Sequence, residues 1–169
     1  WGVRPQNREQ RYAIDALLAE HIRLVTLSGK AGTGKTLLAV AAGLQQVVRL
    51  RDFRRLVIAR PTIPVGKELG FLPGTLAEKL DPWMQPIHDA LDMLGDLGGN
   101  GNQRTAELLR NGTIEVEALS YIRGRSLAGQ FIVIDEAQNL TPLEAKTILT
   151  RVGPGTKIVF TGDLSQIDT

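Results

Sequence analysis

Apolar and polar residues divide this chain into short apolar runs separated by longer stretches of helical pattern. Leu24-Val25-Thr26-Leu27, Leu56-Val57-Ile58-Ala59 and Phe131-Ile132-Val133-Ile134 are too short for helices and rich in strand formers, as strands buried on both faces are. The run from Lys157 to Thr161 reads the same way, and Thr113 to Ala118 alternates, with Ile114 and Val116 inward and Glu115 and Glu117 outward. Between these runs the pattern predicts helices over Asn7 to Glu20, from Thr36 through Ala42, and over Gln103 to Arg110. Thr75 to Leu94 is helical but interrupted by Pro82 and Pro86, which predicts two short helices. A last helix opens at Thr141-Pro142-Leu143-Glu144, with an N-cap Thr, Pro at the first helical position and Glu three residues on, and closes at Gly153. Pro61, Pro64, Gly66, Gly70, Pro73 and Gly74 mark a long loop after the second strand. Gly95 to Asn102 holds four Gly and two Asn without pattern, and is expected to be a mobile surface loop. Strands alternating with helices predict an α/β fold with a mostly parallel sheet of five strands.

The junction between the first strand and the helix after it carries chemistry. Gly29-Lys30-Ala31-Gly32-Thr33-Gly34-Lys35-Thr36 matches the P-loop pattern G-x-x-x-x-G-K-[ST] at every fixed position. Glycines let the backbone turn tightly and aim successive N–H groups into a concave anion site at a helix N-terminus. Lys35 is then expected to reach the β- and γ-phosphates of ATP, and the Thr36 hydroxyl to ligate Mg²⁺. The bland alternative is a Gly-rich turn with a surface lysine, which the flanking strand and helix make a poor fit.

Two further strand ends point the same way. Asp135-Glu136 follows four apolar residues, which places carboxylates at the C-terminal edge of a central strand, where open α/β sheets bind ligands. Asp135 is expected to partner Mg²⁺ with Thr36, and Glu136 to orient or deprotonate the attacking water. Gly162-Asp163-Leu164-Ser165-Gln166 follows the last strand, with Gln166 the candidate sensor of the γ-phosphate and Asp163 read chiefly as turn chemistry. Gln10, in the helix before the P-loop strand, either pairs with an adenine edge or sits on an ordinary helix surface.

Composition narrows the picture without changing it. The chain has 169 residues, 43% hydrophobic, which suits one domain with a substantial core. With no cysteine there are no disulfides, and a net charge of +2 does not by itself mark a nucleic-acid binder. No run approaches the roughly 20 apolar residues of a membrane span, so a cytoplasmic protein is expected. The chain opens on Trp1 and stops at Thr169 just after a motif, which reads as a fragment of something longer.

Taken together, GKAGTGKT (29–36), ARPTIPVGKELGFLPG (59–74), YIRGRS (121–126), VIDEAQN (133–139), KTILTR (146–151) and TGDLSQID (161–168) resemble the PhoH-like family of P-loop ATPases over nearly the whole chain. The resemblance implies a RecA-like three-layer α/β/α P-loop NTPase core, similar to the first motor domain of superfamily 1 helicases. In that class one strand is inserted between the P-loop strand and the strand ending at Asp135. The expected order is therefore 23–27, 157–161, 131–135, 56–59 and, outermost, 113–118. Family membership further implies ATP hydrolysis with Lys35, Thr36, Asp135, Glu136 and Gln166 in the roles above, and a link to RNA.

A nucleotide-gated interaction module with little turnover is the alternative function, and a small-molecule kinase a third. Arg60, Lys67, Arg123 and Arg125 with Phe71, Trp83 and Tyr121 form a candidate basic, aromatic groove for single strands, although Trp83 reads better as a core anchor. Superfamily 1 helicases have a second motor domain that supplies arginines to the nucleotide. Here that half is expected either to lie outside the fragment or to be replaced by a neighbouring subunit, the latter favoured. An activating arginine is thus expected from a neighbouring subunit, with Arg123 and Arg125 the leading candidates and Arg151 another, in a homo-oligomer such as a ring.

Overall fold

The computed structural model describes residues 1–61, 76–99, 101–122 and 124–167, with backbone alone over 76–81 and 101–102. The loop after Pro61, with Lys67 and Phe71, lies outside the described residues, as does Arg123. Five strands form one sheet: β1 (Leu24–Ser28), β2 (Leu56–Arg60), β3 (Ile114–Ala118), β4 (Phe131–Ile134) and β5 (Lys157–Gly162). Their order is β1-β5-β4-β2-β3 and every pairing is parallel. The expected strand order is the observed one, and β5 separates the P-loop strand from β4, as a kinase-type sheet would not.

Alternation along the strands builds two cores. Val25, Leu56, Ile58, Phe131, Val133 and Val159 face one side, under α1 (Arg8–Leu18), α2 (Lys35–Leu44), α3 (Leu76–Leu97) and α4 (Gly101–Arg110). Val57, Ala59, Ile132, Ile134 and Ile158 face the other, with Leu119 and Ile122 of the one-turn α5 (Leu119–Ile122) and Ile148 of α6 (Pro142–Thr150). β4 is buried along its whole length, as a central strand covered on both faces should be. Packing of α2 on this sheet is close: a Cβ on Gly43 would meet Leu56 Cδ1 at 2.6 Å and Phe131 Cδ1 at 3.0 Å. α6 begins with the expected capping box between Thr141 and Glu144, but it ends at Thr150 rather than Gly153.

Two expectations fail around α3. In place of two short helices there is one, α3, of 22 residues (Leu76–Leu97), with Pro82 and Pro86 inside it. Each proline costs roughly 3 kcal/mol in a helix interior. Met84, Ile87, Leu91 and Leu94 are buried on one stripe, and each contributes about 1.5–3 kcal/mol, so packing outweighs the two breakers. The loop expected over 95–102 is also mostly helical: α3 runs to Leu97 and α4 starts at Gly101. The chain's own N-terminus holds this junction, with Trp1 against Gly98 and the Arg104 guanidinium 4.9 Å from the Trp1 ring centroid. Among the described residues, no helix is long and apolar enough to cross a membrane.

Candidate nucleotide-binding site

The parallel sheet delivers the C-terminal ends of β1, β5, β4 and β2 to one edge, and the site forms there. After β1 the chain turns through Gly29–Gly34 into α2, with Gly34 as N-cap in the left-handed region (φ 83°) that only glycine adopts cheaply. Gly32 also has positive φ, and a Cβ there would meet nothing within 4 Å, so the loop leaves open space before it. Lys35 Nζ folds back over the loop and donates to Gly29 O and Lys30 O, both at 2.7 Å, and to Thr33 Oγ1 at 3.3 Å. An ammonium with three donors and two carbonyl partners is poised to exchange them for anionic oxygens.

Thr36 and Asp135 meet as expected: Thr36 Oγ1 donates to Asp135 Oδ1 at 2.6 Å. Thr161, at the end of β5, donates to the same oxygen at 2.6 Å. The inserted strand thus contributes a hydroxyl between P-loop and carboxylate, and Thr161 rather than Gln166 fills that position. Gln166 is exposed on the turn Leu164–Gln166, its backbone N–H donating to Asp163 O at 3.1 Å. Asp163 does more than shape its turn. Its Oδ1 accepts the Ser165 hydroxyl and N–H at 2.6 and 2.9 Å, while Oδ2 accepts the P-loop N–H of Ala31 at 3.1 Å. The Ser165 hydroxyl bond foremost, then the Ser165 and Ala31 N–H groups and nearby Lys35, hold the Asp163 carboxyl below its ordinary range.

Successive residues in a strand point to opposite faces, yet Asp135 and Glu136 both turn toward one edge. Asp135 keeps the ladder, its N–H donating to Ala59 O at 2.8 Å, whereas Glu136 adopts a left-handed φ of 55°. That conformation is uncommon outside glycine and costs on the order of 1 kcal/mol or more. Gln138 Nε2 donates to Glu136 Oε2 at 2.5 Å, and Gln138 Oε1 accepts the Asp163 N–H at 3.2 Å, so one amide links the two acidic turns. Neither Gln138 nor Thr161 carries a spacing signal that would have marked it from sequence.

Gln10 does reach the P-loop. Its Nε2 donates to Thr33 O at 3.1 Å and its Oε1 accepts Gln6 N–H at 2.8 Å. Beside it, a cleft of about 540 Å³ runs between α1 and β1, lined by Tyr12, Ser28, Gly29 and Thr33.

Arg60 departs from the reading as a strand-binding residue. It is buried and points into the site, with Nε and Nη2 at 2.8 and 2.7 Å from Asp135 Oδ2 and Nη2 3.7 Å from Glu136 Oε1. Its Nη1 donates to Trp83 O at 2.8 Å, and the guanidinium lies 4.9 Å from the Trp83 ring centroid. Trp83 is accordingly an anchor for Arg60, and Tyr121 alone of the candidate groove's described aromatics is exposed.

Arg125 sits elsewhere. It donates to Glu115 Oε2 at 2.8 Å and to both oxygens of Glu117 at 2.9 and 3.0 Å, along the outermost strand. Glu115's hydrogen bond is the foremost cause that raises the Arg125 pKa. Four strand spacings of about 4.8 Å, roughly 19 Å, separate β3 from the P-loop strand, so Arg125 does not serve its own chain's P-loop.

The donors at Thr36 and Asp135 are all oxygen, the chemistry of a hard cation such as Mg²⁺. Among the described residues no cluster of three or more His, Cys, Asp and Glu could hold a metal. A magnesium ion here fits the pattern of one or two carboxylates plus phosphate oxygens and water.

Comparisons with known proteins agree with this geometry. The PhoH-like protein family matches residues 2–169. Protein PhoH2 of Bacillus subtilis is 60% identical over 168 residues, covering 99% of this chain and 38% of that protein. A PhoH-like protein of the same organism is 45% identical over 99% of the chain and 50% of its own length. One from Mycobacterium tuberculosis is 44% identical over 98% of the chain and 45% of its length. The chain therefore spans half or less of these relatives. Among solved structures, the Sulfolobus solfataricus SWI2/SNF2 ATPase core in complex with dsDNA aligns with a TM-score of 0.52 at 14% identity, over 94% of this chain and 32% of that one. That likeness concerns the fold alone. With its P-loop, its all-parallel sheet and a family match from end to end, the chain is a P-loop domain that belongs to the PhoH-like family.

Proposed function

We propose that this domain binds ATP with a magnesium ion, hydrolyses it, and couples turnover to work on single-stranded RNA. The observation that carries the reading is the 2.6 Å contact of Thr36 Oγ1 with Asp135 Oδ1, beside an ammonium at Lys35 that, among the described residues, hydrogen-bonds loop oxygens alone. The backbone N–H groups of 29–34 would cradle the phosphates, with Lys35 exchanging Gly29 O and Lys30 O for β- and γ-oxygens. When bound, the magnesium ion supplies neutralisation of phosphate charge. Glu136, oriented by Gln138, would position the attacking water and accept its proton. Gln10 and Tyr12 flank the cleft suited to the base, and Gln166 would close on the γ-phosphate.

Support for RNA comes from the family resemblance, and support for nucleic acid in general from the solved neighbour, which is in complex with dsDNA. ATP as the ligand supports a cytoplasmic location. An in-trans role for Arg125 in a homo-oligomer would require it to leave Glu115 and Glu117. That commitment favours the second reading, a nucleotide-gated module with little turnover.

ATP turnover measured with and without single-stranded RNA and DNA, across a range of protein concentrations, tests these statements together. RNA-stimulated hydrolysis is the expected result. A rate per subunit that rises with concentration supports the in-trans arginine; nucleotide binding without turnover under every condition would leave the gated module.

A further inference from the structure

The contact that the proposed mechanism does not use is the pair between Arg60 and Asp135. In a parallel sheet with β2 beside β4, Ala59 lies opposite Ile134, so the residues that follow, Arg60 (the last of β2) and Asp135, come side by side at the sheet's C-terminal edge. Both are buried, at 7% and 3% side-chain exposure. Both oxygens of Asp135 are engaged: Oδ1 takes the Thr36 and Thr161 hydroxyls, and Oδ2 takes the Arg60 Nε–H with Nη2 in ion-pair contact at 2.7 Å. The guanidinium is itself fixed on its far side by Trp83 O and the Trp83 ring. Among the described residues the Trp83 indole N–H finds no acceptor, so its ring acts on Arg60 through stacking.

We infer that Arg60 is a positioning residue that serves as a built-in counter-ion for Asp135 and keeps the site's affinity for a free divalent cation low until a triphosphate brings its own charge. The inference rests on the reading of Asp135 as the metal partner. A buried carboxylate must be balanced, and an unpaired one is strongly unfavourable. Here Arg60 supplies that balance with one hydrogen bond and a close ion pair, so a divalent cation at Thr36 and Asp135 gains little attraction and meets a buried positive charge close by. A nucleotide changes the sum by adding phosphate oxygens to the same cavity. The order of loading follows: metal enters with the nucleotide, not ahead of it. Because Arg60 also grips Trp83, any adjustment of the guanidinium as the cation enters is passed to α3.

The test uses Mn²⁺ alone, without nucleotide. Binding is followed by the paramagnetic resonance of free Mn²⁺, and stability by thermal midpoint, in the wild type, Arg60→Gln, Arg60→Lys and the Arg60→Gln, Asp135→Asn double variant. Wild type and Arg60→Lys are expected to bind Mn²⁺ weakly, with unmoved midpoints. Arg60→Gln is expected to bind about tenfold tighter or more, and to recover its lost midpoint as Mn²⁺ is added. The double variant should lose that response. Should Arg60→Gln not fold unaided, its refolding yield from urea with and without Mn²⁺ gives the same readout. Equal Mn²⁺ affinity in wild type and Arg60→Gln, or a midpoint or yield in Arg60→Gln that ignores Mn²⁺, would overturn the inference and leave Arg60 a strut between β2 and α3. No ATP is present, so the result is independent of whether the domain hydrolyses it.

Discussion

Arg60 and Arg125 each bond carboxylates at distances below 3.0 Å or at it, yet they lie in different electrostatic worlds. Arg60 stands at the C-terminal end of β2, near the centre of the sheet, with 7% of its side chain exposed. Arg125 lies along β3 at the sheet's outer edge, with 38% exposed, facing Glu115 and Glu117, which are themselves half-buried. Water screens the second cluster and stands ready to replace any bond it loses. Asp135, with 3% of its side chain exposed, has little solvent to take Arg60's place. Similar bond lengths therefore mark a charge the fold depends on in one place and an edge-strand clasp in the other.

Substituting each arginine by Gln breaks the comparison open. Arg60→Gln should destabilise the protein by about 3–5 kcal/mol, the cost of leaving a buried charge without its partner. For Arg125→Gln the expected loss is about 1 kcal/mol or less, because exposed pairs contribute little. Urea denaturation of both variants measures the gap. Equal losses would mean that burial does not govern these pairs. Turnover should invert the sensitivity of the edge cluster: in a mixture with wild-type subunits, Arg125→Gln lowers ATP hydrolysis more than its own fraction only if it serves a neighbour's site.

Within the site itself the next largest effect belongs to Glu136. Glu136→Gln keeps size and hydrogen bonding with Gln138 but removes the proton acceptor, and should cost roughly 10²-fold or more in turnover while nucleotide is retained. Lys35→Ala should instead weaken nucleotide binding and turnover together, since it withdraws a cation from the bound phosphates. Fluorescent-nucleotide titration beside a steady-state phosphate assay separates the two. Unchanged hydrolysis in Glu136→Gln would place the base elsewhere.

What could be read from sequence was what depends on chain-local pattern. The five strands, the P-loop and the acids at the end of β4 announce themselves in runs of a few residues, and the strand order followed once the P-loop class was recognised. The same strand order already placed 56–59 beside 131–135, so the meeting of Arg60 and Asp135 was available in principle: each is the first residue past the β2–β4 register. It was missed because an arginine before a proline reads as a surface loop when the burial of its surroundings is unknown. Gln138 and Asp163 depend on two turns facing each other across β5 and β4, which no periodicity reports. The unbroken α3 was illegible for a different reason. Prolines are visible in sequence, while the stripe of Met84, Ile87, Leu91 and Leu94 that outweighs them stabilises the helix only when a neighbour covers it.

A third cation, buried like Arg60, extends the contrast, because among the described residues no carboxylate is paired with it. Lys157 opens β5 and is almost wholly buried, with Nζ donating to Ala16 O and Ala19 O at 3.1 and 2.9 Å. These are carbonyls at the C-terminal end of α1, where a positive charge is favoured by the helix dipole but not neutralised. Burial first, and then the charge of Arg23, lower the Lys157 pKa from 10.5 to about 8. The unfolded chain therefore holds this proton over an interval in which the folded chain has released it. Stability from this group rises with pH from about 8 to 10.5, opposite in sign to a lysine held by a carboxylate. Neutral Lys157 still has two N–H donors for its two carbonyls, so deprotonation removes the desolvation cost without breaking the contacts. Lys157→Met has no such titration; it withdraws the donor from Ala16 O, while Ala19 O keeps the Ile22 N–H at 3.2 Å. The stability difference, wild type minus Lys157→Met, should accordingly grow by about 1 kcal/mol between pH 7 and pH 9, measured by urea midpoints at matched ionic strength. Parallel pH profiles for the two proteins would show that the Lys157 ammonium is not the source, and that a buried cation on this sheet can do without an anion at no cost.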